Sequence, residues 1–278
     1  MVNLKRRLIQ LSSTIITNGY FKGFLSGKIY KGNLKALCVP SLNCYSCPGA
    51  LGSCPIGSLQ AIVGSIKYNF SFYVVGYLIL FGTLFGRWIC GFLCPFGFFQ
   101  EIIYKIPSKK IRKSKFFGFL KYLKYLMLIF PVLLIPMYLS IKKGIGDPTF
   151  CKYVCPAGTL EGGIPLTMMN PFLREIVGGL FLFKLSILIL VVLGSIIIFR
   201  PFCRFICPLG AIYGLFNPIS LYQYKVDDNC IKCGKCEATC KLNIPTYEKP
   251  NSFECIRCEE CVKVCPTKSI KKVICHKG

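Results

Sequence analysis

Histidine is almost missing from this sequence. His276, close to the C-terminus, is the single copy in 278 residues. A bis-histidine haem b therefore cannot form within the chain. Cys275-His276 is no haem c attachment either, because position 272 is Lys272 where that motif needs a cysteine. Histidine-based zinc catalysis and a Ser-His-Asp triad fall with it. Acidic residues are also few, 11 against 35 Lys and Arg, and none stands in a pattern that marks an acid–base catalyst. There is no G-x-G-x-x-G dinucleotide fingerprint and no Walker A loop.

What the chain has instead is cysteine, 19 copies. Eight form a doubled run, Cys230-x2-Cys233-x2-Cys236-x3-Cys240 and Cys255-x2-Cys258-x2-Cys261-x3-Cys265-Pro266. In two-cluster ferredoxins the fourth cysteine of each run ligates the other cluster. The spacing therefore predicts one [4Fe–4S] cluster on Cys230, Cys233, Cys236 and Cys265. A second falls on Cys255, Cys258, Cys261 and Cys240. Zinc sites, the rival for such cysteines, usually draw on separated pairs rather than three thiolates within seven residues.

The second feature is apolarity: 53% of the residues are hydrophobic and the mean hydropathy is +0.54. Three runs are candidates to cross a bilayer: Tyr68–Gly86, Phe116–Ile141 and Ile176–Phe199, the last interrupted only by Lys184, which can snorkel. Leu8–Phe21 is a weaker fourth. It follows Lys5-Arg6-Arg7 but shows no small-residue cleavage site, so it reads as an uncleaved anchor rather than a signal peptide. The net charge of +24 does not imply nucleic acid. The basic residues flank the apolar runs, above all in the 109–115 block, where the positive-inside rule accounts for them. With that block and the N-terminus in the cytoplasm, the four spans alternate and the doubled cysteine run lies in the cytoplasm.

Inside the apolar part a third pattern recurs. Cys90-x3-Cys94-Pro-x-Gly, Cys151-x3-Cys155-Pro-x-Gly and Cys203-x3-Cys207-Pro-x-Gly are full copies; Cys54-Pro55-Ile56-Gly57, preceded by Cys44-x2-Cys47, is a partial one. Residues four apart share a helix face, proline disfavours α conformation at the cysteine before it, and the freed amides can donate to sulfur. Cys90, Cys94, Cys203 and Cys207 follow two spans running the same way, so they are expected to form an inner cluster site, with Arg87, Arg200 or Arg204 offsetting its charge. Cys44, Cys47, Cys54, Cys151 and Cys155 lie in the outward connections 26–67 and 142–175. Those five read as a cluster, as disulfides, or as free thiols. Cys38 and Cys275 have no evident partner.

The stretches Gly86-Arg-Trp-Ile-Cys90-Gly-Phe-Leu-Cys94-Pro95 and Arg200-Pro-Phe-Cys203-Arg-Phe-Ile-Cys207-Pro208, with the doubled run after them, resemble the NapH/NosR/CcoG-type family of membrane-bound polyferredoxins from about residue 68 onward. The flavin-binding domain of NosR and the large extracytoplasmic domain of CcoG-like members have no counterpart here, so nitrate, nitrous-oxide and copper roles do not carry over. The resemblance implies electron transfer between a membrane or cytoplasmic donor and a partner reductase or maturation system.

The expectation is thus an α-helical integral membrane protein of about four transmembrane helices plus re-entrant segments (1–222), with a cytoplasmic α+β bacterial-type 2[4Fe–4S] ferredoxin domain (223–278). It would hold two [4Fe–4S] clusters and one or two further intramembrane clusters. Its partners would be the lipid bilayer, a cytoplasmic ferredoxin or flavodoxin-like donor and a partner redox subunit. A transmembrane thiol–disulfide reductase and an assembly factor for another enzyme are the alternatives.

Overall fold

The computed structural model describes residues 4–66, 71–112 and 115–274. Tyr68, Cys275, His276 and part of the basic 109–115 block lie outside those residues.

The longest apolar run forms one helix of 28 residues, Phe116–Lys143. Pro131 sits inside it, within a π-helical stretch over Leu128–Leu134. An interior proline removes a helix hydrogen bond and crowds the preceding turn, and a widened turn accommodates both effects. Gly179–Ile197 is the second long helix, 19 residues. Among the described residues these two are long and apolar enough to cross a membrane. Only 22% and 17% of their apolar windows are buried, and Leu182, Phe183, Ile189, Leu190 and Leu193 are exposed.

Of the other two expected spans, Leu8–Phe21 keeps its length but lies four residues earlier, and Tyr68–Gly86 is shorter. The N-terminal helix, Leu4–Thr17, has 14 residues and stops ahead of Asn18-Gly19. The next long apolar stretch is helical over Phe72–Phe85, also 14 residues, and ends at Gly86 with φ 54°. At 1.5 Å per residue each is about 21 Å long, against roughly 30 Å of bilayer hydrocarbon.

Both short helices nevertheless join the same two layers of the molecule. The first starts with Arg6 paired to Glu101. It ends where Thr17 O accepts Leu51 N at 3.0 Å. The second has Tyr73 in its first turn, whose hydroxyl accepts Cys38 N at 3.3 Å, and ends where Arg87 N donates to Asn217 Oδ1 at 2.9 Å.

The long connections contain helical turns of their own. Helix Pro55–Gly64 packs against Ile135–Lys143 and Phe72–Phe85. Gly146 N donates to Gly64 O at 2.8 Å and ties the two connections together. The turns between Phe150 and Gly163 pack on Gly179–Ile197. One hydrophobic core runs through both layers, from Cys54, Ile56 and Cys155 to Cys90, Cys94, Cys203 and Cys207.

Strands Tyr222–Val226 and Ile270–Ile274 close the C-terminal part as an antiparallel pair, with Tyr222 opposite Ile274 and Val226 opposite Ile270. The strand begins at Tyr222, so a domain boundary after 222 falls one residue inside it. Between the strands, helices Lys235–Thr239 and Glu260–Val264 pack on each other.

Candidate iron–sulfur sites

The doubled cysteine run folds as two copies of one loop offset by 25 residues. Lys232 and Gly234 take positive φ (51° and 70°), and Arg257 and Glu259 repeat them (54° and 66°). Asn243 and Lys268, three residues beyond each fourth cysteine, do the same (54° and 52°). Left-handed backbone is unfavourable for such side chains and persists only where the surroundings demand it. Here it curls the chain around a centre and turns amides onto sulfur. The amides of Leu242, Asn243 and Ile244 point at Cys240. Burial works against ionising Cys265, but the Thr267 hydroxyl and the amides of Ser269 and Ile270 hold its thiol below the ordinary range.

Cys230, Cys233, Cys236 and Cys265 line one cavity, closed by Tyr247 and Ile270. Cys255 and Cys261 lie within electrostatic reach of Cys240, and Cys258 within reach of Cys255. Cys265 thus lies with the first three cysteines and Cys240 beside Cys255 and Cys261, the proximity that a crossed pairing requires. Among the described residues no three Cys, His, Asp or Glu side chains converge tightly enough for a single metal ion. These wider sets, with amides aimed at their sulfurs, fit a multi-atom cluster in which each iron takes one thiolate.

The inner four cysteines also come together. Cys207 lies within reach of Cys203, Cys90 and Cys94, and all four are buried. Each C-x3-C unit spans a break: one short helix carries the first cysteine, and the second caps the next helix, with proline at its first position. Proline suits that position because its missing N–H would be unpaired there anyway. Cys94 Sγ accepts Gly97 N at 3.3 Å and Cys207 Sγ accepts Gly210 N at 3.4 Å.

Arg87 and Arg200, each three residues before a first cysteine and each 1% exposed, cross over. Arg87 Nη2 donates to Cys203 O at 3.0 Å, and Arg200 Nη1 donates to Cys90 O. Arg87 is paired with Glu254 (3.0 Å) and Arg200 with Glu101 (2.7 Å). The Arg204 guanidinium lies over Phe117 and Phe205.

Glu254 brings the ferredoxin part to the inner site. It also pairs with Lys124. Burial would raise its pKa, but Arg87 and Lys124 hold it below the usual carboxylate range. The next residue is Cys255. Asn217 Nδ2 donates to Cys255 O at 2.8 Å and to Ser252 O at 2.9 Å, and Arg257 donates to Phe85 O and Asn217 O. Gly91, between Cys90 and Cys94, lies so close to Ile256 that a Cβ there would be 2.2 Å from Ile256 O.

At the opposite layer the five outer candidates separate. Cys44, Cys54, Cys151 and Cys155 line a cavity of about 660 Å³ with Lys184. Cys47 is turned away, its Sγ 3.5 Å from Asn18 Oδ1. Cys38 lies beside Ser58, 3.6 Å from its hydroxyl. Lys184 Nζ donates to Cys151 O at 3.1 Å. Glu161 accepts Cys44 N at 2.7 Å, and burial pushes its carboxyl up to about 7. Tyr213, fully buried, lies within electrostatic reach of both Cys90 and Cys54. Spacing alone missed Gln60, Gln100, Glu101, Glu161, Asn217 and Glu254; repetition of C-P-x-G-x-x-Q at 54–60 and 94–100 is the signal that marks the glutamines.

The comparisons agree with this chemistry. A family described as a 4Fe–4S binding domain matches residues 70–114, 123–164 and 180–221, one full C-x3-C-P-x-G copy in each. A second 4Fe–4S binding domain matches 249–271. An uncharacterized protein of Methanocaldococcus jannaschii is 36% identical over 216 residues, 74% of this chain and 78% of that protein. A second uncharacterized protein of the same organism is 32% identical over 197 residues, 67% of this chain and 64% of that one. The ferredoxin-type protein NapH of Haemophilus influenzae is 23% identical over 281 residues, 96% of this chain and 87% of its own length. No solved structure matches. With 4Fe–4S binding domains matched in both parts of the molecule and relatives across most of its length, the chain belongs to the NapH-type family of 4Fe–4S polyferredoxins that carry electrons.

Proposed function

We propose that this chain is a membrane-embedded wire, taking single electrons from a cytoplasmic donor at the ferredoxin domain and delivering them to a partner redox subunit on the other side. Bound clusters supply the one-electron chemistry; the protein orders the sites. The observation that carries the reading is the contact of Gly91 with Ile256, which sets the loop of Cys255 and Cys258 directly on the loop of Cys90 and Cys94. Cys230, Cys233, Cys236 and Cys265 then form the entry site. Around it Ile231, Lys232, Cys233, Lys235 and Lys268 are exposed, a basic rim suited to a small acidic ferredoxin or flavodoxin-like donor.

Embedding is supported by the apolar side chains that Phe116–Lys143 and Gly179–Ile197 leave uncovered; an aqueous surface would not favour so large a continuous patch. The four helices, long and short, alternate in direction between the two layers. A reporter fused after Lys115 or at the C-terminus is therefore expected to behave as cytoplasmic, and one inserted near Gly146 as external. The same behaviour at all three positions would refute the topology.

The ferredoxin assignment has its own test. Residues 221–278, which include the whole first strand, should bind about eight irons when prepared anaerobically. Stoichiometric zinc without iron contradicts it.

A further inference from the structure

We infer that Cys44, Cys54, Cys151 and Cys155 hold a second intramembrane iron–sulfur cluster, on the same frame as the inner site, with Gln60 as its positioning residue and Gln100 as the inner counterpart. The inference rests on reading the inner four cysteines as a cluster site and extends it to the other layer.

The two layers share more than a cysteine motif. Gln60 stands six residues after Cys54, and Gln100 six after Cys94. Both are fully buried. Gln60 Oε1 accepts Phe150 N at 2.9 Å; Gln100 Oε1 accepts Phe202 N at 3.2 Å. Only an oxygen can accept those N–H groups, so each side-chain amide is oriented with its nitrogen the other way. That nitrogen donates to the next cysteine along: Gln60 Nε2 to Cys151 Sγ at 3.1 Å, Gln100 Nε2 to Cys203 Sγ at 3.2 Å. It also bonds the carbonyl one turn back, Ile56 O and Phe96 O, each at 3.3 Å. All three bonds recur, to equivalent partners.

A buried amide is costly unless every polar atom is paired, so each glutamine locks a C-P-x-G helix to the start of the opposing C-x3-C unit. It also aims an N–H at a sulfur. Such a donor strengthens when the sulfur carries thiolate charge, as in a cluster ligand.

The outer frame departs from the inner at one ligand. Cys44, held through its amide by Glu161, takes the place that Cys90 fills at the inner site. Glycines leave the sulfurs room: a Cβ at Gly158 would lie 3.7 Å from Cys44 Sγ and 3.9 Å from Cys155 Sγ, and one at Gly57 3.9 Å from Cys151 Sγ. Lys184 supplies a cation beside the set. Four thiolates suit either a [2Fe–2S] or a [4Fe–4S] cluster.

The test is an iron and sulfide census of the full chain, purified anaerobically in detergent. Cys151→Ser with Cys155→Ser should remove one cluster's iron, about two or four atoms according to its type. Cys90→Ser with Cys203→Ser should remove a different cluster, and Cys47→Ser none. Gln60→Leu should keep the iron but move one EPR signal to lower potential, because hydrogen bonds to sulfur help set the potential. Gln100→Leu should move the other signal.

Iron unchanged in the outer double variant, with two thiols fewer to titrate, overturns the outer cluster while the inner one stands. Iron unchanged in both double variants overturns the underlying reading as well. Loss of a cluster in Cys47→Ser overturns the ligand assignment. Identical potentials in Gln60→Leu and the unaltered protein overturn the role given to Gln60.

Discussion

Valine in place of Gly91 is expected to slow electron transfer from the ferredoxin domain to the inner site about tenfold or more, with the iron content unchanged. Any side chain at Gly91 meets the backbone of Ile256, with Ile256 O only 2.2 Å from the new Cβ. Backbone cannot swing aside as a flexible side chain can, so the loop of Cys255 and Cys258 must lift. Overpacking of this kind costs about 1–3 kcal/mol, and about 1.4 kcal/mol is a factor of ten in the docked population. The cysteines themselves are untouched. Arg87–Glu254, Asn217 and Arg257 tether the domain nearby, so it should loosen rather than dissociate. Freeze-quench EPR after mixing with a viologen radical reads the result. The ferredoxin signals should appear at the normal rate and the inner signal late. An inner signal that keeps pace with the unaltered protein would show that electrons do not pass through this contact.

Glu101→Gln is expected to cost the fold about 3–5 kcal/mol, the range for stranding buried charge. Glu101 is 1% exposed and faces three guanidinium groups: Arg6 at 2.8 Å, Arg7 at 2.7 Å and Arg200 at 2.7 Å. Burial alone would raise its pKa, but Arg200, Arg6 and Arg7 together hold it below the usual carboxylate range. Glutamine keeps the shape and removes the nearest negative charge, leaving Glu260 at 3.9 Å from Arg6. Thermal unfolding in detergent should shift strongly downward, and Arg7→Met in the same chain should recover part of the loss because one stranded cation is gone. The linkage to pH has a definite sign. A lowered folded pKa contributes stability above the unfolded carboxylate value, about 4.3, and that contribution is lost as pH falls through the folded value. Glu101→Gln should therefore flatten the acid limb of the stability profile. An unchanged melting temperature would remove Glu101 from the list of residues that hold the inner layer together.

The parts of this protein legible in its sequence are those whose chemistry is local. A cluster loop needs its thiolates within a few residues, so the doubled run and the C-x3-C-P-x-G copies are visible as spacing. The Pro-Gly punctuation also marks real helix starts, at Pro95 and Pro208. What spacing hides is set by distant partners. Arg6 and Glu101 are 95 residues apart, Arg87 and Glu254 are 167 apart, and an arginine beside an apolar run reads equally well as a topology marker. Gln60 and Gln100 look like tolerated polar residues until their partners at 150–151 and 202–203 are in place. The choice of Cys44 over Cys47 depends on Asn18 and Glu161, which belong to other segments. Hydropathy places the first helix four residues late because it does not register the break at Asn18-Gly19.

The two 14-residue helices carry one further consequence. Within a bilayer, about 21 Å of helix separates the two cysteine layers, and most of a membrane voltage falls across such a low-dielectric slab. An electron moved from Cys90, Cys94, Cys203 and Cys207 to Cys44, Cys54, Cys151 and Cys155 would then do electrical work, up to about 2.3 kcal/mol for each 100 mV crossed. In an energised cell the voltage, alongside the potentials of the donor and acceptor, would set how readily the outer site is reduced.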